Sequence, residues 1–131
     1  MKKLKGLIIV LSILLSLFGL TACGGENNNT YEQITAKQAK TIMDTENDYI
    51  IIDARTTEEF AEGHIEDAIL IPEYEIADRA EKELPDKYAL ILVYCRSGRR
   101  SKIASEELVK LGYTNVKEFG GIIDWPYDIV K

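Results

Sequence analysis

The sequence predicts an α/β domain built on a parallel sheet, and two observations support this. Two apolar runs, at residues 49–53 (YIIID) and 89–94 (ALILVY), are continuous rather than alternating in polarity, which is typical of strands buried on both faces. Helix signals lie between the strand candidates, so that strands and helices alternate along the chain. Weaker strand candidates at residues 31–34, 69–71 and 115–118 bring the expected central sheet to about five strands flanked by helices.

Two capping boxes mark the starts of predicted helices. Thr35 with Gln38 and Thr56 with Glu59 each fit this motif, in which the two side chains satisfy backbone N–H groups of the first turn. The first of these helices is expected to run to about Met43. Two more helices are predicted from their apolar periodicity, at residues 76–84 and 100–111.

Two chemically distinctive residues stand at the ends of the two strongest strands. Asp53 ends the first apolar run and Cys95 follows the second. Because ligands of an open parallel sheet collect at the carboxyl ends of its strands, both residues are expected at the edge that carries the site. The sequence alone does not show whether the two strands are neighbours.

The first 22 residues are predicted to be a targeting segment rather than part of the domain. Three lysines precede an apolar run at residues 7–20, whose length is typical of a signal-peptide core and short for a membrane span. Residues 20–23 (LTAC) resemble the bacterial lipobox. That resemblance implies a signal peptide at residues 1–22, cleaved before Cys23, and lipidation of Cys23. An ordinary cleaved signal or a retained membrane anchor is the alternative.

The rest of the chain is expected to be one domain held at the cell membrane, outside the cytoplasm, by the lipid anchor on Cys23. Residues 23–30 are polar and rich in Gly and Asn, which is typical of a flexible tether, and residues 31–131 have the length of a single domain. Without residues 1–22 the chain has 13 basic and 22 acidic residues, a formal charge of −9. Nucleic acid is therefore not an expected partner.

Cysteine usage also points to chemistry. The chain has two cysteines, and if Cys23 is lipidated then Cys95 is a lone thiol in a compartment that oxidises thiols. A purely structural position would be filled as well by Ala or Ser, so we predict a chemical role for Cys95. The alternative interpretation is that Cys95 is a small buried apolar residue.

The segment that follows the second strong strand, residues 93–101 (VYCRSGRRS), predicts an anion site. Three of the five arginines of the chain, Arg96, Arg99 and Arg100, lie within five residues of Cys95. Gly98 permits a sharp turn that directs backbone N–H groups and the start of a helix at the loop centre. This environment favours the thiolate, and hence a nucleophile, without a histidine base.

This segment resembles the active-site loop of the rhodanese family, and other family landmarks occur in the expected order. Residues 53–60 (DARTTEEF) resemble the family pattern D-x-R-x-x-x-E-[FY], and residues 63–72 (GHIEDAILIP) resemble G-H-I-x-x-A-x-x-[IL]-P. Residues 112–125 resemble the closing strand and final turn. The resemblance covers about residues 33–126 and implies a three-layer rhodanese-like domain.

The resemblance implies a sulfurtransferase that needs no cofactor or metal. Cys95 would accept the sulfane sulfur of a small anionic donor such as thiosulfate as a persulfide, and would pass it to a thiophilic acceptor such as cyanide or a thiol. The transferred sulfur would be held by Arg96, Ser97, Gly98, Arg99 and Arg100. Arg96 and Arg100 match basic positions of members that use thiosulfate.

Three other functions are weighed against this one. Phosphatases and arsenate reductases of the same fold close the loop as C-x5-R, whereas here Arg100 closes a C-x4-R loop and Ser101 occupies the position of their arginine. A non-catalytic binding or sulfide-carrier module is the second alternative. Thiol–disulfide exchange is disfavoured because no second cysteine lies near Cys95 in the sequence.

The remaining distinctive residues are given supporting roles. Asp53 and Arg55 are predicted either to form an ion pair that braces the active edge or to be solvated loop residues. His64, the one histidine of the chain, is interpreted as a structural hydrogen-bonding residue rather than a base. Trp125 and Tyr127 are interpreted as packing residues.

Overall fold

A parallel sheet of five strands organises residues 30–131, the part of the chain that the computed structural model describes. The strands are β1 (Glu32–Gln33), β2 (Ile50–Asp53), β3 (Ile69–Leu70), β4 (Ile91–Cys95) and β5 (Val116–Gly121). Their order in the sheet is β1-β5-β4-β2-β3, and all pairings are parallel. The predicted sheet of about five parallel strands is confirmed. The predicted signal peptide, Cys23 and the tether up to residue 29 lie outside the described residues.

Four helices flank the sheet, and both capping boxes are present. The helices are α1 (Ala36–Thr45), α2 (Thr57–Glu62), α3 (Ile76–Glu83) and α4 (Arg99–Lys110), with short 3-10 helices at Glu73–Glu75 and Ile122–Asp124. Thr35 and Thr56 are the N-caps of α1 and α2, and each exchanges hydrogen bonds with the residue three positions later, as predicted. None of the helices within residues 30–131 combines the length and the apolar composition needed to cross a membrane.

The strand boundaries differ most from the prediction in β5, which continues to Gly121 rather than ending at Glu118. Its pairing with β4 changes register between Val93 and Cys95, so that Cys95 pairs with Gly121. Such an irregularity inserts an extra residue and lengthens one strand relative to its neighbour. The local sequence does not predict this change of register, because it depends on how the two strands are paired.

The continuous apolar pattern of β4 reflects burial on both faces. Val93 and Cys95 join the core on the side of α4, whereas Leu92 and Tyr94 join a second core with Phe119 on the opposite side. Successive side chains of a strand point to opposite faces, so both sets of β4 residues must be apolar or internally satisfied. Cys95 therefore lies in the layer between the sheet and α4.

The order of the strands places the two predicted site residues together. β2 and β4 are adjacent, and Asp53 pairs with Tyr94, the residue before Cys95. The expectation that Asp53 and Cys95 share an edge of the sheet is confirmed. The structure adds that their strands are direct neighbours.

The end of β5 packs closely against the backbone that follows Cys95. A Cβ atom at Gly121 would lie 2.0 Å from the carbonyl oxygen of Arg96 and 2.6 Å from the Cα of Ser97. The Arg96 carbonyl also accepts a hydrogen bond from the N–H of Ile123 at 3.3 Å. The shape of the loop is thus fixed by a position in β5 that only glycine can occupy.

Gly121→Ala is expected to destabilise the fold by roughly 3 kcal/mol, because its methyl group overlaps backbone atoms that cannot move independently of β4 and β5. The measurement is the free energy of unfolding in urea. Gly112→Ala is the matched control: Gly112 has a φ of 99° but no atom within 4 Å of an added Cβ. Strain alone should then cost about 1 kcal/mol. Equal losses in the two variants would contradict the close packing of β5 on the loop.

Candidate active site

Cys95 ends β4 and lies beneath the loop that leads into α4. Its side chain is 1% exposed, and it is a free thiol. Gly98, the N-cap of α4, has a φ of 107°, a left-handed conformation that favours glycine. This turn directs the N–H of Gly98 at the sulfur, with an N···Sγ distance of 3.0 Å. The helix start and one backbone donor therefore both face Sγ.

A second polar contact reaches Sγ from the first turn of α4. The thiol of Cys95 donates to Oγ of Ser101 at 3.3 Å, and the Ser101 hydroxyl lies 2.7 Å from Oε1 of Glu118. Glu118 belongs to β5 and also accepts the N–H of Gly120 at 2.7 Å. Cys95, Ser101 and Glu118 thus form a buried hydrogen-bonded chain on the α4 side of the sheet.

The three loop arginines occupy different environments. Arg96 and Arg99 are exposed, as is Ser97, whereas Arg100 is partly buried and binds Glu59 of α2 through two hydrogen bonds of 2.6 and 2.9 Å. Of the five loop residues predicted to hold the transferred sulfur, Gly98 is the one with a hydrogen bond to Sγ. The Arg100 guanidinium is already engaged by a carboxylate.

The ion pair between Arg100 and Glu59 has electrostatic consequences for both partners. The hydrogen bonds from Arg100 lower the pKa of Glu59 from its ordinary value of 4.5 to about 2, although partial burial opposes the shift. The hydrogen bond with Glu59 likewise raises the pKa of Arg100, with smaller contributions from the charges of Glu59 and Cys95. Glu59 therefore keeps its charge through most of the acid range.

Asp53 and Arg55 form the bracing ion pair that was one of the two predictions for them. Asp53 is fully buried, and Arg55 donates to it through Nε at 2.9 Å and Nη2 at 2.7 Å. Nη2 of Arg55 also donates to the carbonyl of Gly63. The hydroxyl of Tyr94 donates to Asp53 at 2.6 Å and accepts the N–H of Ile65. Both side chains that donate to the Asp53 carboxylate are thus held in place by a second hydrogen bond to the backbone.

The protonation of this network is well defined. Burial, followed by the nearby Asp53 charge, raises the pKa of Tyr94 far above its ordinary value. The hydrogen bond and charge of Asp53 outweigh burial and raise the pKa of Arg55. Tyr94 is therefore a neutral donor and Arg55 a permanent cation, which together balance the buried carboxylate.

His64, Trp125 and Tyr127 lie in packing positions. His64 stacks on Phe60 with ring centroids 3.7 Å apart, and its Nδ1 lies 3.0 Å from the Phe60 carbonyl oxygen. Trp125 contacts the rings of Phe119 and Tyr127. Within residues 30–131, no group of three or more His, Cys, Asp or Glu side chains is placed to hold a metal ion.

Three residues that shape the site were not identified from the sequence. In the sequence, Ser101 stands at the position of a phosphatase arginine, and Glu59 belongs to a capping box and to a family motif. Glu118 has one signal in the sequence: it lies two positions after Val116 in a strand, and alternate strand residues share a face, so an acidic side chain is expected on the same face as an apolar one. Their partners come from other elements, 41 positions away for Arg100 and Glu59, so pairing could not be read from spacing.

Together these features define an α/β domain that presents one cysteine in a helix-starting loop at the carboxyl end of a parallel sheet. The chain matches the family model of the Rhodanese-like domain over residues 35–126. It therefore belongs to the rhodanese-like family, as the sequence resemblance predicted.

Known proteins similar to this chain include sulfurtransferases. The thiosulfate sulfurtransferase PspE of Escherichia coli is 41% identical over 80 residues, which cover 61% of this chain and 77% of that protein. A sulfurtransferase of Allochromatium vinosum is 42% identical over 85 residues, covering 64% and 77%. Among solved structures, a rhodanese with anions from E. coli aligns with a TM-score of 0.60 and 38% identity over 63% of this chain and 98% of that one.

Glu59→Gln tests the ion pair with Arg100 through its pH dependence. The folded-state pKa of Glu59 is depressed from 4.5 to about 2, so its contribution to stability is present above pH 4.5 and is lost as the pH falls towards 2. The difference in unfolding free energy between wild type and variant should be about 1–2 kcal/mol near neutral pH and shrink across that window. The measurement is urea unfolding at a series of pH values.

Glu62→Gln on the same helix is the control, because Glu62 is exposed and forms no ion pair within the described residues. It should change the unfolding free energy far less at every pH. A difference for Glu59→Gln that stays constant from pH 2 to 7 would show that the carboxylate is not stabilised by Arg100.

Proposed function

We propose that this domain transfers a sulfane sulfur from a small anionic donor of the thiosulfate type, through a persulfide on Cys95, to cyanide or a thiol. The observation that carries the proposal is the N–H of Gly98 directed at Sγ of the free Cys95 thiol, 3.0 Å away, at the start of a helix. Such a donor stabilises an anionic sulfur. The names of similar proteins, thiosulfate sulfurtransferase among them, support the same chemistry.

The proposed reaction proceeds in two displacements at sulfur. The Cys95 thiolate attacks the sulfane sulfur of thiosulfate, the S–S bond of the donor breaks, and sulfite leaves with the electron pair. The negative charge then rests on the outer sulfur of the Cys95 persulfide. Cyanide attacks that outer sulfur in turn, which releases thiocyanate and restores the thiolate.

Burial of Cys95 sets a condition on this mechanism. The Cys95 side chain is 1% exposed, so a donor reaches Sγ only after a local movement that uncovers it, and the exposed loop residues Arg96 and Ser97 are the proposed mobile part. Arg96 and Arg99 are the exposed cations of the loop and are proposed to attract the anionic donor. Arg100 is proposed to assist less, because Glu59 already balances its charge.

The same burial favours a second candidate function, a non-catalytic binding or sulfide-carrier module. In that case the thiol would be a structural part of the loop, and the exposed loop surface would bind a partner. The two functions differ in whether Cys95 gains a sulfur from a donor.

Incubation of the full-length protein with thiosulfate should add one sulfur atom to Cys95, because the loop stabilises the persulfide anion. Intact-mass spectrometry measures the gain, and peptide mapping assigns it to Cys95 rather than Cys23. Cyanide should remove the added sulfur as thiocyanate. Cys95→Ser is the matched control and should gain nothing. A wild-type protein whose mass is unchanged at saturating thiosulfate would favour the binding module over the enzyme.

We also propose that the domain is held at the cell membrane, outside the cytoplasm, by lipid on Cys23. The support is the sequence alone: the apolar run at residues 7–20 followed by LTAC. Two acyl chains are enough for stable anchoring, since each buried CH₂ contributes about 0.8 kcal/mol.

Cys23→Ala should move the protein from the membrane fraction to the soluble or secreted fraction if lipid on Cys23 is the anchor, and it should also abolish labelling by a fatty acid analogue. Cys95→Ser, with Cys23 intact, should stay in the membrane fraction. A Cys23→Ala protein that remains in the membrane would indicate a retained apolar anchor instead.

A further inference from the structure

Glu118 is a buried carboxylate next to the nucleophile, and the proposed reaction does not yet use it. Its side chain is 3% exposed, and within residues 30–131 it forms no ion pair with a lysine or arginine. Its hydrogen-bond partners are the Ser101 hydroxyl and the N–H of Gly120, both at 2.7 Å from Oε1. The Ser101 hydroxyl can therefore pass a proton directly to Oε1 of Glu118.

The directions of the hydrogen bonds connect this carboxylate to the sulfur. The Ser101 hydroxyl has one proton, and three acceptors lie within reach: the carbonyls of Gly98 at 3.0 Å and Gly120 at 3.4 Å, and Oε1 of Glu118 at 2.7 Å. The carboxylate is the nearest and the one with a charge, so the proton points to Glu118. The Ser101 oxygen is then free to accept the thiol proton of Cys95 at 3.3 Å.

We propose that Ser101 and Glu118 form a proton relay that ionises Cys95 from inside the core. The inference rests on the proposed function, in which Cys95 acts as a thiolate. In the relay, the Cys95 proton passes to Oγ of Ser101 as the Ser101 proton passes to Oε1 of Glu118. No proton is gained or lost overall: the products are a thiolate and a neutral Glu118.

The transfer gives the Cys95 sulfur a second hydrogen-bond donor. After the relay the new Ser101 proton lies between Oγ and Sγ, so the hydroxyl donates to the thiolate beside the N–H of Gly98. Ser101 contacts the reacting atom and is a catalytic residue, whereas Glu118 acts through it as a positioning residue. When cyanide restores the thiolate, the proton can return from Glu118 by the same path.

Other charged groups lie near Cys95 and Glu118, but none of those described is hydrogen-bonded to Ser101 as Glu118 is. Tyr31, ahead of β1, interacts with both Glu118 and Glu106, while Arg100 of α4 interacts with Glu59, Cys95 and Asp53. Arg100 interacts with Cys95 but is balanced by Glu59, and Asp53 is bound by Arg55. Glu118 is therefore the one carboxylate among the described residues that is hydrogen-bonded through a single hydroxyl to Sγ.

The test compares wild type with Glu118→Gln in the full-length protein, using the rate at which iodoacetamide alkylates Cys95, read at the Cys95 peptide. Gln keeps an oxygen for Ser101 and Gly120 but does not take up the proton. Because Cys95 and Glu118 share one proton, the wild-type rate should fall only slowly with decreasing pH. The variant has no second group to share the proton, so its rate should follow a single ionisation and exceed the wild-type rate about threefold between about pH 6 and 8, because a neutral side chain no longer opposes the thiolate charge.

Two results would overturn the relay. Identical pH profiles would show that Glu118 is not coupled to Cys95, and a wild-type profile that fits one ionisation would show that the two groups do not share a proton. Because alkylation reports ionisation rather than sulfur transfer, it distinguishes failure of the relay from failure of the proposed function. Ser101→Ala should lose the slow pH dependence in the same way, and combining it with Glu118→Gln should add nothing further.

A second measurement does not depend on the folding of the Glu118 variant. Infrared spectra of wild type and Cys95→Ser near neutral pH should differ by the carbonyl band of a protonated, buried carboxyl group. The band should be present in wild type, where Glu118 holds the thiol proton in part of the molecules, and absent in the serine variant, whose hydroxyl keeps its own proton. Absence of the band from wild type would contradict the relay.

Discussion

The buried charge of Asp53 is the constraint around which the active edge is arranged. A carboxylate with no exposure is costly to bury unless its charge is balanced and its oxygens are hydrogen-bonded. Arg55 and Tyr94 meet that requirement, and each is tied to further backbone: Arg55 to the Gly63 carbonyl and Tyr94 to the N–H of Ile65. The network thereby fixes the end of β2, the segment after α2 and the residue that precedes Cys95. Cys95 therefore follows a strand end that is held in place from the opposite face of the sheet.

The carboxylates on the two faces of β4 differ in whether a cation is paired with them. Asp53 belongs to an ion pair, whereas Glu118 is hydrogen-bonded to Ser101. Tyr94 contacts a carboxylate whose charge is balanced by a guanidinium, so the hydroxyl proton stays on Tyr94. Cys95, one residue later and on the other face, is connected through a hydroxyl to Glu118, which lacks such a cation. A carboxylate paired with a guanidinium stabilises the fold, whereas a carboxylate without such a cation remains available for the proposed proton relay.

The sequence predicted the elements and the edge of the site but not how its side chains pair. Continuous apolar runs, capping boxes and the strand-end positions of Asp53 and Cys95 are local patterns, and the structure reproduces them. The clustered arginines indicate positive charge near Cys95, but they do not show where each side chain points. Arg100 binds Glu59, which lies on another helix, 41 positions away. The contact of Ser101 with Glu118 depends in the same way on the position of β5 against α4. Such pairings follow from register and helix placement, which spacing does not encode.

Position 101 decides which chemistry the loop can support. In the C-x5-R enzymes that share this fold an arginine stands there, and it holds a tetrahedral oxyanion. In this chain Ser101 is fully buried and points into the layer between β5 and α4, towards Glu118. An arginine at this position would form an internal ion pair with the Glu118 carboxylate. Its guanidinium would then not be available to bind an anion. The combination of a serine at 101 with a glutamate at 118 therefore argues against phosphoryl transfer on grounds independent of loop length, and it is compatible with the proposed sulfur transfer.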